Sequence, residues 1–359
     1  MNASKILKRI LIMFIALMIA VAGLVILFDP MYHYHKPLPG LKAVLSDKEY
    51  QCIGSLKNFD YDAVIAGSSM AENYDNSWFD EDFGCRSVKA IRSYGITSDV
   101  CFYVDTAFEH QDVKKVFYNV DMGNFMDMPV SCDESFESAG FPMYIFDSNP
   151  LNDVKYLYNK DVIFNKIPHM LAKSFSSDYE EGQSYNWWQY KEFGEDVAIS
   201  NYTSLEEVLP MTDVHVYDES LNANIDLIEG LVKNHPDAEF YFFIPPYSIL
   251  WWDNIYREGD LEFYLYAADV LVDRLSAYNN VKISFFMDEE DIITNLDNYM
   301  DSIHFTPEIN HYIEQCLYDG SKEINKDNKA EKLENMKALA YHMEYDLIPE
   351  YADRLEYCD

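Results

Sequence analysis

Two short stretches of this sequence carry the residue types from which an activated nucleophile is built. The first is Gly67-Ser68-Ser69, which closes an apolar run from Ala63 to Ala66. A short apolar run bounded by turn formers reads as a buried strand. A serine at the strand-to-helix turn that follows stands at the carboxyl edge of a sheet, where the first amides of the next helix also point. The second stretch is Asp301-Ser-Ile-His304. It precedes Thr306, a helix-capping residue, and Pro307, which suits a first turn; Ile309, Tyr312, Ile313, Cys316 and Leu317 then share one helical face. Ser69, His304 and Asp301 are thereby expected as nucleophile, base and orienting acid. A serine hydroxyl is a weak nucleophile until a base accepts its proton, and the acid selects the tautomer of that base.

Residues so far apart need a scaffold that brings them to one edge. From residue 60 the chain alternates strand and helix patterns. Strands are expected at Asp62–Ala66, Ser87–Ile91, Lys115–Val120, Glu239–Ile244 and Val281–Phe286, with amphipathic helices between several of them. That rhythm predicts an α/β domain, a three-layer α/β/α sandwich around a five-stranded parallel sheet, whose βα loops all lie on one edge. The domain is expected over residues 60–324, with an aromatic-rich insertion at about 125–215 whose densest cluster is Tyr185-Asn-Trp-Trp-Gln-Tyr190. Residues 325–359 read as an acidic helical tail packed on the domain edge.

The amino-terminal residues set the expected compartment. Lys5, Lys8 and Arg9 form a basic flank (residues 1–9) before an uncharged apolar run, Ile10 to Phe28, of a length that spans a bilayer. The flank belongs on the cytoplasmic side, so the remainder is expected outside a cell membrane on a single-pass anchor; a cleaved signal peptide ending at Ala20-Val-Ala22 is the competing reading, against which Leu24 to Phe28 continue the apolar run. Residues 29–59, with three prolines and several rings near their start, read as an extended membrane-proximal connector. Outside the membrane six cysteines permit 15 disulfide pairings, among which the sequence does not choose. No C-x-x-C pair, Walker loop, G-x-G-x-x-G or G-x-S-x-G occurs, so neither metal nor cofactor is expected, and nucleotide enzymes and α/β-hydrolases are disfavoured. With 27 basic against 62 acidic residues, a formal charge of −35, nucleic acid is an unsuitable partner.

Gly67-Ser68-Ser69 together with the late Asp301-x-x-His304 resembles the SGNH/GDSL superfamily of serine esterases and acyltransferases. The anchor, the Gly-Ser-Ser variant and Phe243-Ile-Pro-Pro-Tyr247 are similar to a branch that works beside membrane-bound O-acyltransferases in teichoic acid D-alanylation and alginate acetylation. The resemblance implies a flavodoxin-like fold and an esterase or O-acyltransferase acting on a cell-envelope or exported glycan. It also implies Ser69, His304 and Asp301 as the triad, with Gly95, in Ser93-Tyr-Gly-Ile, giving a backbone donor to the oxyanion. The family's G-x-N-D block is absent; the chain reads Asn119-Val-Asp-Met-Gly-Asn124, and Asn124 is the expected side-chain donor, with Asn119 and Asp121 close by. A multi-span O-acyltransferase is the expected partner, because no acetyl-CoA exists outside the cell. Its expected docking surface is the anchor with Tyr32, His33, Tyr34 and His35. The alternatives are an esterase or deacetylase that hydrolyses acyl esters, and a non-catalytic glycan- or partner-binding protein on the same sheet.

Overall fold

The computed structural model describes residues 3–358; the first two residues of the basic flank and the last of the tail lie outside the described part. Among the described residues seven strands form: β1 Ala63–Gly67, β2 Ser87–Ile91, β3 Lys115–Asn119, β4 Thr203–Leu205, β5 Glu239–Ile244, β6 Val281–Phe285 and β7 Glu356–Cys358. Five of them make one parallel sheet in the order β2-β1-β3-β5-β6. Counted within the sheet this is 2-1-3-4-5, in which the order reverses between β1 and β3 and opens a crevice beyond the strand ends. The register brings those ends level: Gly67 lies beside Ile91, Ala66 beside Tyr118, Asn119 beside Phe243 and Ile244 beside Phe285. Every βα loop of the sheet therefore emerges on one edge.

The strands are short apolar runs because both faces of the sheet are covered. Lys48–Asn58 and Thr97–His110 pack on β2 and on each other, and Thr97–His110 continues to Asp218–Asn234 and thence to Leu261–Leu275. Asn76–Phe83 packs on β2 and against Pro307–Asp319. Pro307–Asp319 buries Ile313, Cys316 and Leu317, as its spacing implies, and ends at Gly320 in the left-handed region.

Beyond the sheet, the structure differs from the sequence reading in two places. Residues 29–59 are not an extended connector. Lys48–Asn58 is a core helix that buries Cys52, Ile53 and Leu56. Asp29, fully buried, gathers the turn that follows the apolar helix: Oδ1 accepts from His33 N at 3.1 Å and Tyr156 OH at 2.7 Å, and Oδ2 from Tyr34 N at 2.7 Å and His35 N at 2.9 Å. Burial raises the Asp29 carboxyl above its ordinary range against the lowering effect of these bonds. His33 Nε2 and Tyr34 OH reach Asp153, and His35 Nε2 reaches the Ile26 carbonyl. Tyr32 is buried. The expected docking surface is thus mostly turned onto the chain's own domain, because a buried carboxylate recruits the N–H groups of that turn. Asp29→Ala leaves three backbone donors without an acceptor, and unfolding in detergent should show a loss of about 3 kcal/mol.

The second difference is the tail. Lys329–His342 packs on Leu261–Leu275, as an edge helix would, but β7 then pairs in parallel with β4 from within the insertion. All six cysteines are free thiols, with Cys52, Cys101 and Cys316 buried.

Candidate active site

Ser69 opens a single 3-10 turn directly after β1, and Ser68 caps that turn by accepting from Met70 N. The turn must be tight. A Cβ on Gly67 would stand 2.9 Å from both Ala71 Cβ and Asn119 Cβ, so only glycine lets the strand end pass between β3 and the turn. His304 comes from the loop after β6. Met300 N donates to the His304 carbonyl and Thr306 N to Asn298, while Tyr299 and Phe305 bridge the loop's base. The segment after β5 clamps this loop from outside: Ser248 donates from N and Oγ to the Ser302 carbonyl at 3.1 and 2.8 Å, and Tyr299 OH donates to Pro246 O at 2.9 Å. The Phe243-Ile-Pro-Pro-Tyr247 stretch therefore supports the histidine loop.

The three residues meet. Ser69 Oγ lies 2.8 Å from His304 Nε2, and His304 Nδ1 lies 2.7 Å from Asp301 Oδ2. Asp301 Oδ1 also accepts from Ile303 N at 2.9 Å and His304 N at 2.8 Å. Burial works against ionisation of Asp301, but its bonds to His304 and the charge of that ring outweigh it, so the carboxyl is held below the usual carboxylate range. An ionised Asp301 accepts a hydrogen bond from Nδ1–H and so leaves Nε2 as the acceptor for the serine hydroxyl.

The expected oxyanion donors are placed differently. Gly95 N donates to Arg92 O at 2.9 Å, so its N–H is committed within its own turn. Asn124 Nδ2 donates to the Gly95 carbonyl at 3.2 Å, which ties the second and third loops and leaves one amide proton outside that bond. Asn119 is 1% exposed and its side-chain amide has no hydrogen-bond partner; it lines a cavity of about 10 Å³ with Ser68, Gly95, Asp121 and Asn124. Asp121 bridges the crevice at the sheet's reversal. Its Oδ2 accepts from Ser68 Oγ at 2.9 Å and its Oδ1 from Tyr247 OH at 3.2 Å. Burial raises the Asp121 carboxyl, opposed by those two bonds. Ser68 therefore braces the loop and Ser69 faces the base. The sequence offered both serines and the Asp121 position, but no spacing rule connects residue 68 to residue 121.

The insertion reaches the site through a buried cation. Lys89, at the centre of β2 and fully buried, donates from Nζ to Glu72 O and to Asn186 Oδ1, each at 2.6 Å, and to Ser184 O. Burial pulls its pKa down to about 7, opposed by the charges of Asp75 and Glu72. Asn73 Oδ1 accepts from Trp187 N at 3.1 Å and Trp188 N at 3.2 Å. These contacts set the Trp187 ring edge-on to His304, with centroids 5.3 Å apart. A groove of about 370 Å³ runs beside Trp187, walled by Tyr179, Gln183, Asn186, Gln189 and Tyr190. Lys89→Met keeps the volume but removes all three donors. Amide exchange over residues 184–188 should then rise and turnover fall by about tenfold or more, with the sheet's own exchange unchanged.

No family model and no curated relative matches the chain. A solved structure from Streptococcus pneumonia, named for platelet activating factor, is similar at 13% identity over 76% of this chain and 90% of its own, with a TM-score of 0.40. The functional reading accordingly rests on the geometry of the site.

Proposed function

We propose that the chain is an SGNH-like serine enzyme that moves acyl groups on the outer face of a membrane, on a flavodoxin-like three-layer scaffold. The observation that carries this reading is the unbroken hydrogen-bonded chain from Ser69 Oγ through His304 to Asp301. Ser69 attacks an acyl carbonyl while His304 takes its proton, and an acyl-serine forms as the donor's alcohol leaves with that proton. A second hydroxyl, activated by His304 in turn, then accepts the acyl group. The oxyanion is met by the Ser69 N–H, which as the first of its turn has no partner within it, and by the remaining amide proton of Asn124. Gly95 contributes by holding Asn124 through its carbonyl.

Transfer to a glycan is favoured over plain hydrolysis by the groove beside Trp187. Aromatic faces and primary amides suit sugar rings and their hydroxyls, and the groove is large for a small ester alone. The acyl group is proposed to be acetyl, handed to Ser69 by a separate multi-span O-acyltransferase. The helix Ala3–Phe28, the one described helix long and apolar enough to cross a membrane, is read as the anchor. The test uses the purified full chain with an activated acetyl ester, with and without exported polysaccharide. Transfer is expected to acetylate the polysaccharide and to raise ester consumption. Free acetate as the sole product in both mixtures would mark an esterase.

A further inference from the structure

We propose that the domain itself enters the outer leaflet, through a basic amphipathic shoulder formed by residues 154–175 and fitted to an anionic lipid surface. This rests on the anchor reading of Ala3–Phe28 and goes beyond it, since an anchor alone requires no contact between the domain and lipid.

The first observation is where the apolar helix is covered. Met18, Val21, Ala22, Val25 and Phe28 are shielded and Val25 is fully buried, whereas Ile10 to Leu17 are exposed on every side. The shielded positions follow helix spacing and mark one face docked on the domain. The helix Val154–Leu157 touches it, and Tyr158 OH donates to the Met18 carbonyl at 3.2 Å. From Arg9 to Met18 is nine residues, about 14 Å of helix. That is half of a hydrocarbon core about 30 Å thick. If Arg9 stands at the inner face, Met18 lies near the midplane, and the segment that touches it is already below the outer surface.

The second observation is what that segment shows on its outside. A π turn, Val162–Lys166, runs into the helix Ile167–Ser174. Its inner face buries Val162, Ile167 and Met170. Its outer face presents Phe164, Pro168, Ala172 and Phe175, all exposed, Phe164 at 73% and Phe175 at 74%. That is a second apolar stripe at helical spacing, with nothing of the domain over it. Water is a poor cover for two full phenyl rings.

The third observation is charge. Residues 154–175 hold Lys155, Lys160, Lys166 and Lys173 against the single acid Asp161, in a chain of 27 basic and 62 acidic residues; Lys166 is paired with Asp47, which leaves Lys155, Lys160 and Lys173 to face outward. A local reversal of sign beside exposed phenyl rings suits anionic headgroups, with the long lysine stems reaching back to the interface. His169 and Lys173 also belong to the wall of the groove beside Trp187. The shoulder would therefore set that groove at the lipid surface, where an acyl donor emerging from the membrane is within reach of Ser69.

The test places single cysteines in the full chain carrying Cys358→Ser, whose other thiols are constant background. Phe164→Cys and Phe175→Cys are compared with Tyr345→Cys, an exposed position on the carboxyl-terminal segment that packs against Ile249–Arg257. The protein is reconstituted in phosphatidylglycerol–phosphatidylcholine vesicles and treated with a charged, impermeant maleimide. Protein that resists carbonate extraction and labels at least about tenfold more slowly at positions 164 and 175 than at 345 is the expected result. Equal labelling of extraction-resistant protein would overturn the shoulder and leave the anchor intact. Release by carbonate would overturn both. Protection in native membranes without protection in the vesicles would assign the surface to a protein partner and overturn the lipid assignment.

Discussion

Ser69→Ala should lower acyl turnover by a factor of about 10³ or more while moving the thermal midpoint by only a few degrees. The size of the first effect comes from chemistry. The Ser69 hydroxyl is the atom that His304 Nε2 faces at 2.8 Å, and without it no acyl-serine can form. The smallness of the second comes from structure. Ser69 Oγ is bonded to His304 and the bracing of the turn falls to its neighbour, whose Oγ binds Asp121 and caps the turn. The neighbouring variant Ser68→Ala should behave in the opposite sense. It leaves a buried Asp121 oxygen with one partner fewer, so stability should fall by about 1–3 kcal/mol while measurable turnover survives. Paired assays of ester cleavage and thermal unfolding on the two variants separate the roles. A large loss of turnover from Ser68→Ala with wild-type turnover in Ser69→Ala would exchange the assignments.

Asp301→Asn should cost on the order of 10³–10⁴ in kcat. The asparagine nearly preserves volume and can still accept from the Ile303 and His304 amides, so the loop keeps its shape. Its NH₂ group, however, presents a donor to Nδ1, which drives the imidazole proton to Nε2, the nitrogen that must accept from Ser69. In the wild type burial is outweighed by the bonds and charge of His304, which hold the Asp301 carboxyl below the usual carboxylate range, so it stays ionised and an acceptor for Nδ1–H at neutral pH. Near wild-type kcat in the variant would remove Asp301 from that orienting role.

The sheet was legible because its strands are buried on both faces. Ser87–Ile91 and Glu239–Ile244 are found with the expected ends, and the other three differ by a residue at one or both ends, since an apolar run bounded by turn formers has few alternative readings. The meeting of Ser69 with Asp301 and His304 followed from the same fact, since a parallel sheet sends all its βα loops to one edge. What escaped was held by single long-range polar contacts. Lys89 is a charge inside a short strand, and its three acceptors come from residues 72, 184 and 186. Asp29, first residue after the apolar run, is the hub of a buried turn whose partners lie at residues 33–35 and 156. Composition marks such residues as anomalies, but pairing them needs distances. The expected Gly95 donor failed for a related reason. Backbone N–H groups carry no sequence signature, and the commitment of Gly95 N to Arg92 O shows only in the folded turn.

Activation of Ser69 is what separates an acyl-transfer enzyme from a folded but inert site. A fluorophosphonate reacts with an activated serine and not with an ordinary hydroxyl, so labelling of the full-length protein followed by peptide mapping tests it most directly. The expected result is one phosphonylated site at Ser69, absent from the Ser69→Ala and His304→Ala proteins. Folded wild-type protein that stays unlabelled, or that carries its label at Ser68 or elsewhere, would contradict the account.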